Sequence, residues 1–184
     1  SQHGVDLPAA EVSRLLGLRK GLNKDVISKR FKALGQAGAV QLHEYGLGLN
    51  KGWLNHARLT SITLDCDSTV KTVYGKQGGA AKGYNSQKKG ARSYHPLLAF
   101  CSELKLVVNS WFRTGSAYTS NGVCEFVKQT AASLPAAVSS VFFRADSGFF
   151  SGALCDLLEA LGWTYLIKVK PVSYTHLRAH ETTL

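Results

Sequence analysis

Methionine is absent from all 184 residues, and no apolar run approaches the ~18 residues of a membrane-spanning helix. The missing initiator points to a fragment. Residues 1–6 lack the basic, apolar and small-residue architecture of a signal peptide, so the expected setting is a soluble, cytoplasmic one with no membrane partner. The four cysteines (Cys66, Cys101, Cys124 and Cys155) form no C-x-x-C pair, which excludes a structural zinc site and a disulfide framework. Acidic residues are scarce, 12 against 22 Lys plus Arg, so the chain carries a formal +10. What is present is ordinary for a folded domain: 45% apolar and 18% charged residues, at a length that allows one domain with a small appendage.

The charge is unevenly spread. Residues 1–58 hold nine basic and four acidic groups, residues 59–113 eight and three, and residues 114–184 five of each. A basic first two thirds suits a polyanion, because each neutralised phosphate releases counterions.

Residues 8–58 read as helical. Pro8 opens a helix with Val12, Leu15 and Leu16 at helical spacing. Asn23 is a suitable N-cap for a second, with Val26, Ile27, Phe31 and Leu34 on one side, ending near Gly35 or Gly38. Such a pair has the form of a DNA-reading helix-turn-helix, although more often it is a plain packing unit. From Leu59 the pattern changes to strands: Ile62 to Val73, Leu97–Phe100, Leu104–Phe112, Val138–Ala145 and Thr164–Val169, with helices at Ser120–Ser133 and Ser151–Leu161. The order β-β-β-α-β-α-β predicts an α/β fold, a mixed sheet with flanking helices. The Gly/Lys-rich stretch from Gly75 to Gly90 reads as a loop. It fails the phosphate-loop template, because Tyr84 stands where lysine is required.

Two acidic sites interrupt apolar strands. Asp65 and Asp67 lie two apart and project from one face of the first strand. Asp146 ends the run Val141–Ala145 and precedes the turn pair Ser147-Gly148. Carboxylates at the ends of buried strands are costly to keep ionised unless they are paired or bind a cation. If the strand before Asp146 runs parallel to the first, the groups converge, and Mg²⁺ (or Mn²⁺) relieves their repulsion with oxygen ligands. Two such ions, ~3.5–4 Å apart, activate water and stabilise the leaving oxygen of a phosphodiester. A rival pattern is D-x-D-x-T, met by Asp65-Cys66-Asp67-Ser68-Thr69, which is that of haloacid-dehalogenase-like phosphatases with Asp65 as nucleophile. The later acidic motif of that family is missing.

Lys82, Lys88, Lys89 and Arg92 form a phosphate-contacting loop or, equally, a solvated charge run. His95, between Tyr94 and Pro96, reads as part of a strand entry, and Trp53, Trp111 and Trp163 as core.

Five segments occur in a telling order: Leu64-Asp65-Cys66-Asp67-Ser68-Thr69, Gly83-Tyr84-Asn85, Ser93-Tyr94-His95-Pro96-Leu97-Leu98, Arg113-Thr114-Gly115-Ser116-Ala117 and Arg144-Ala145-Asp146-Ser147-Gly148-Phe149. The series resembles the DDE transposases of bacterial insertion sequences, most closely the insertion-sequence family numbered thirteen-eighty, over Leu59 to Lys170. The resemblance implies an RNase H-like domain over 59–171 and Asp67 and Asp146 as the first two catalytic, metal-holding carboxylates, with Asp65 a possible third participant. It also implies Mg²⁺ as cofactor, the element's terminal inverted repeats as DNA partner, and a homo-oligomer on that DNA. The third acid of such enzymes, a Glu on a helix after the last strand, is expected well beyond Lys170, where no candidate occurs. An intact enzyme would cut and rejoin DNA, and this chain alone is expected to be inactive.

Residues 172–182, Val-Ser-Tyr-Thr-His-Leu-Arg-Ala-His-Glu-Thr, back-translate to a sequence resembling the mosaic-end adaptor of sequencing libraries. Residues 172–184 are therefore read as non-native, and His176, His180 and Glu181 receive no role.

Overall fold

The computed structural model describes residues 23–169 apart from 76, 84, 86, 87 and 121. The expected first helix and the segment 172–184 lie outside these residues. The chain divides into two compact units, one ending at Gly46 and the other beginning at Leu47.

Helix α1, Lys24–Ala57, enters both units. Its start is capped as expected: the Asp25 N–H donates to Asn23 Oδ1 at 2.8 Å. Gly35 interrupts it with φ 59° and ψ −165°, where the sequence places the end of the second helix. In the first unit Val26, Phe31 and Leu34 are exposed and Ile27 is half-buried. In the second unit Leu54 enters the core, and the Asn50 amide donates to the carbonyls of Val107 and Val108 at 2.9 and 3.2 Å.

The second unit is built on a five-stranded sheet. Its strands are β1 (Ser61–Ser68), β5 (Leu97–Cys101), β6 (Leu106–Trp111), β7 (Ser140–Ala145) and β8 (Thr164–Ile167), in the order β6-β5-β1-β7-β8. The β6-β5-β1 side is antiparallel and the β1-β7-β8 side is parallel, so the condition on which the carboxylates converge is met. Alternation sorts the faces. Ile62, Leu64 and Cys66 of β1, Leu97, Ala99 and Cys101 of β5, and Val141 and Phe143 of β7 are buried. They form one core with Val123, Phe126 and Val127 of α2 (Val123–Ser133) and Leu154 and Leu158 of α3 (Gly152–Ala160). Each fully buried side chain of this kind contributes about 1.5–3 kcal/mol. Helix α3 is capped by Ser151, whose hydroxyl accepts from the Leu154 N–H at 3.3 Å.

Two expectations are corrected. Trp111 and Trp163 pack against the core, but Trp53 is 62% exposed, while its neighbour Leu54 is buried. The Gly/Lys-rich stretch is also not simply a loop. It contributes to a second, three-stranded antiparallel sheet of β2 (Lys71–Thr72), β3 (Ala81–Lys82) and β4 (Arg92–Tyr94), in the order β2-β4-β3. Close backbone approach holds this small sheet. A Cβ at Gly83 would lie 1.8 Å from the Gly115 carbonyl oxygen, and one at Gly115 would lie 2.4 Å from that of Ser93.

Candidate active site

The central strand delivers its carboxylates by alternation. Ile62, Leu64 and Cys66 point into the core, so Asp65 and Asp67 occupy the opposite face of β1. The parallel register with β7 pairs Asp65 with Arg144 and Cys66 with Ala145. Asp67 and Asp146 each follow by one residue the last of these pairs, so the two carboxylates stand side by side at the carboxyl ends of adjacent parallel strands. In open α/β sheets such ends are where sites form. Both are exposed and line one open cleft of about 550 Å³, together with Asp65, Arg144, Leu166 and Lys168.

Asp65 has a different environment from its neighbour. Arg144 Nε donates to Asp65 Oδ1 at 2.6 Å and a terminal guanidinium nitrogen donates to Oδ2 at 2.8 Å, while the Ser102 hydroxyl donates to Oδ2. Arg144 also reaches Ser102 Oγ at 3.2 Å. The bidentate arginine holds the Asp65 carboxyl below its ordinary pKa; partial burial opposes this and Ser102 reinforces it. The same bonds raise the pKa of Arg144. Burial, with Asp65 and Asp67 on either side, pushes the Cys66 thiol far up, so this cysteine is an inert core residue.

Asp67 and Asp146 carry no such load. Asp67 Oδ1 accepts from the Ser68 N–H at 2.8 Å, and Asp146 Oδ1 accepts from the Gly148 N–H at 2.9 Å. Among the described residues neither forms an ion pair. One oxygen of each is thus held by the local backbone, and both residues line the cleft. Oxygen-only donors with negative charge fit a hard divalent cation. Among the described residues, however, no group of three or more His, Cys, Asp or Glu comes together to hold a metal.

A half-buried hydroxyl chain, starting from the buried His95, supports the strand ends. His95 Nδ1 lies 2.7 Å from the Ala117 carbonyl oxygen, an acceptor, so this nitrogen carries the proton. His95 Nε2 lies 3.2 Å from Ser68 Oγ, which is 3.0 Å from Thr119 Oγ1. Thr119 in turn packs at Gly148, where a Cβ would sit 3.3 Å from the Thr119 Cβ and 3.2 Å from Asp146 Oδ1. His95 is therefore a strand-entry residue whose contacts reach the ends of both acid-bearing strands.

Of the basic residues singled out, Lys82 and Arg92 are exposed cross-strand partners on β3 and β4. Lys88 and Lys89 are exposed in the turn before β4, and the Lys88 ammonium lies 5.1 Å from the Tyr74 ring centroid. Arg144, Ser102, Thr119 and Lys168 escape a reading of the sequence. Arg144 alone has a legible signal: it precedes Asp146 by two residues as Asp65 precedes Asp67, so parallel pairing sets opposite charges across from each other.

Residues 22–183 match the family model described as Transposase DDE domain group 1, and the chain belongs to this family. The match takes in most of the segment 172–184. The five-stranded mixed sheet with its flanking helices bears out the α/β fold expected from the sequence. No curated protein matches the chain. Among solved structures, it is similar to a piggyBac transposase synaptic complex with hairpin DNA, with 20% identity and TM-score 0.46, covering 61% of this chain and 24% of that one. It is also similar to the Mos1 transposase paired-end complex with left transposon end, at 13% identity and TM-score 0.42, covering 88% and 55%. A Mos1 mariner paired-end complex with Mn matches at 14% identity and TM-score 0.41, covering 90% and 61%. The chain thus spans less than two thirds of each of these proteins.

Proposed function

We propose that this chain is part of the catalytic domain of a bacterial insertion-sequence transposase, in which Asp67 and Asp146 hold divalent metal for DNA cleavage and strand transfer. The observation that carries this reading is the register that sets these two carboxylates side by side in one cleft, without an ion-pair partner among the described residues. Mg²⁺ or Mn²⁺ bound there supplies Lewis-acid charge to the phosphodiester and makes water or a DNA 3′-hydroxyl a better nucleophile. The chain's own contribution is positional. The Ser68 and Gly148 N–H groups fix one oxygen of each carboxylate and leave the other for the ion. Arg144, held by Asp65, and Lys168 line the same cleft and meet a non-bridging phosphate oxygen.

On this reading Asp65 is the partner of Arg144 rather than a metal ligand. That same pairing disfavours the phosphatase alternative, since a nucleophilic Asp65 would have both oxygens occupied. Lys82, Lys88, Lys89 and Arg92 contact DNA phosphates, the DNA being the terminal repeats of the element, on which copies of the protein assemble. With Asp65 engaged by Arg144, two carboxylates of the cleft remain for metal; the third acid comes from outside the described residues, and the described part alone does not complete strand transfer.

Metal binding by the chain tests the assignment directly. Titration with Mn²⁺, followed by electron paramagnetic resonance, is expected to show a site that Asp67→Asn and Asp146→Asn each weaken by more than about tenfold. Asp65→Asn should leave it within about threefold. Undiminished binding in either of the first two variants, or the largest loss in the third, overturns the assignment.

A further inference from the structure

Between Asp67 and Glu103 the chain contains no acidic residue, and this stretch supplies the whole three-stranded sheet. The two faces of that sheet differ. Ser93 is fully buried, and the closeness of Gly115 to Ser93 and Ala81 shows that the turn after Arg113 covers this side. On the other face, Lys82 stands opposite Arg92, Tyr94 lies two residues beyond Arg92, and Lys71 stands opposite Tyr94. Lys71, Lys82 and Arg92 are all exposed. Like charges set directly across a strand pair repel, and no acid of the sheet offsets them.

Beside this stripe lies an aromatic residue that the core does not use. Phe112 is 73% exposed, with its ring centroid 4.4 Å from that of Tyr94 in a tilted stack. The ring leans on Tyr94 and most of its surface is open to solvent. Cations that follow a phosphate backbone, next to an open aromatic platform, match the chemistry of an unpaired nucleotide. In intact duplex the base faces are already stacked on one another, and Phe112 would have nothing to receive.

We propose that the open face of the small sheet binds DNA at an unpaired nucleotide, with phosphates on Lys71, Arg92 and Lys82 and the base stacked on Phe112. The proposal rests on the DNA-handling function given above and adds the form of DNA that this face selects.

The test is fluorescence anisotropy of the full chain with three labelled probes: a blunt duplex, the same duplex with a short unpaired tail, and the tail strand alone. The tailed duplex is expected to bind about tenfold tighter than the blunt one, as one stacked base allows. Phe112→Ala should erase that preference and leave blunt-duplex affinity within about twofold, whereas Phe112→Trp should preserve it. Lys82→Gln combined with Arg92→Gln should weaken all three probes and lower the slope of log affinity against log salt by about 2. Equal affinity for blunt and tailed duplex, or a preference that survives Phe112→Ala, overturns the proposal while leaving the transposase reading intact. Binding to none of the probes overturns both. Self-association without DNA that Phe112→Ala abolishes would make the ring a protein contact and likewise end the proposal.

Discussion

In the five-stranded sheet, alternate residues of β1, β5 and β7 disappear among Leu64, Leu97, Phe143, Phe126 and Leu154, all fully buried. In the three-stranded sheet the strands are two or three residues long, and the fully buried side chain is that of a serine, Ser93. The first sheet is held by hydrocarbon removed from water, the second by backbone hydrogen bonds and by two glycine segments that touch. A sheet of the first kind can hold carboxylates rigidly at its strand ends. One of the second kind has little apolar burial to lose and can carry charge of a single sign, provided that a partner neutralises it.

Two truncations probe this difference most sharply. Phe143→Ala empties the centre of the large core and is expected to cost about 3–5 kcal/mol. It should lower stability throughout the second unit in a single denaturant transition. Gly83→Ala places a methyl where the Gly115 carbonyl oxygen already sits, 1.8 Å away, so the two segments must part. Hydrogen exchange should then show protection lost around β3 and β4 and kept in β1, β5 and β7. Should Gly83→Ala instead abolish protection in both sheets together, they form one cooperative unit and the contrast fails.

A smaller effect belongs to the open face of the large sheet, where an ion pair takes the place of hydrocarbon. Asp65 is held below its ordinary value of 3.8, chiefly by Arg144. A depressed carboxylate pKa contributes stability that is present above the unfolded value and is lost as pH falls through the folded one. Both side chains are partly exposed, at 34% and 44%, so solvent screening limits the contribution to about 0.5–1 kcal/mol at neutral pH. Urea unfolding of Asp65→Asn should show that deficit at pH 7 and a smaller one as the pH drops below about 3.8. A deficit that is constant across this range would mean that the carboxylate charge plays no part.

The parts legible in the sequence are those that owe their form to the large core. Period-two alternation marks β1, and the apolar stripe of Val123, Phe126 and Val127 marks α2. The acids Asp67 and Asp146 stand out because they interrupt or end apolar strands. What stays hidden depends on contacts distant along the chain. Asp65 looks equivalent to Asp67 until its partner appears 79 residues later. The small sheet has strands too short for any periodicity, and its stability comes from the approach of Gly83 to Gly115, which no local pattern records. Trp53 looks like core by composition, yet the side of α1 that faces the sheet is the one bearing Leu54.

The smallest expected effect carries the most information about the small sheet, because its sign should be reversed. Lys82 and Arg92 face each other across β3 and β4 without an acidic neighbour in the sheet. Directly opposed like charges cost a few tenths of a kcal/mol, up to about 1. Replacing either one, as Lys82→Gln or Arg92→Gln, should therefore slow hydrogen exchange in this sheet at low ionic strength, and the gain should fade as salt shortens the screening length. The same variants should bind DNA more weakly. A sheet stabilised by the change that impairs its binding has kept its charges for a partner. If instead either substitution speeds exchange, the arginine and lysine stems stabilise the sheet by packing, and both sheets are held by burial after all.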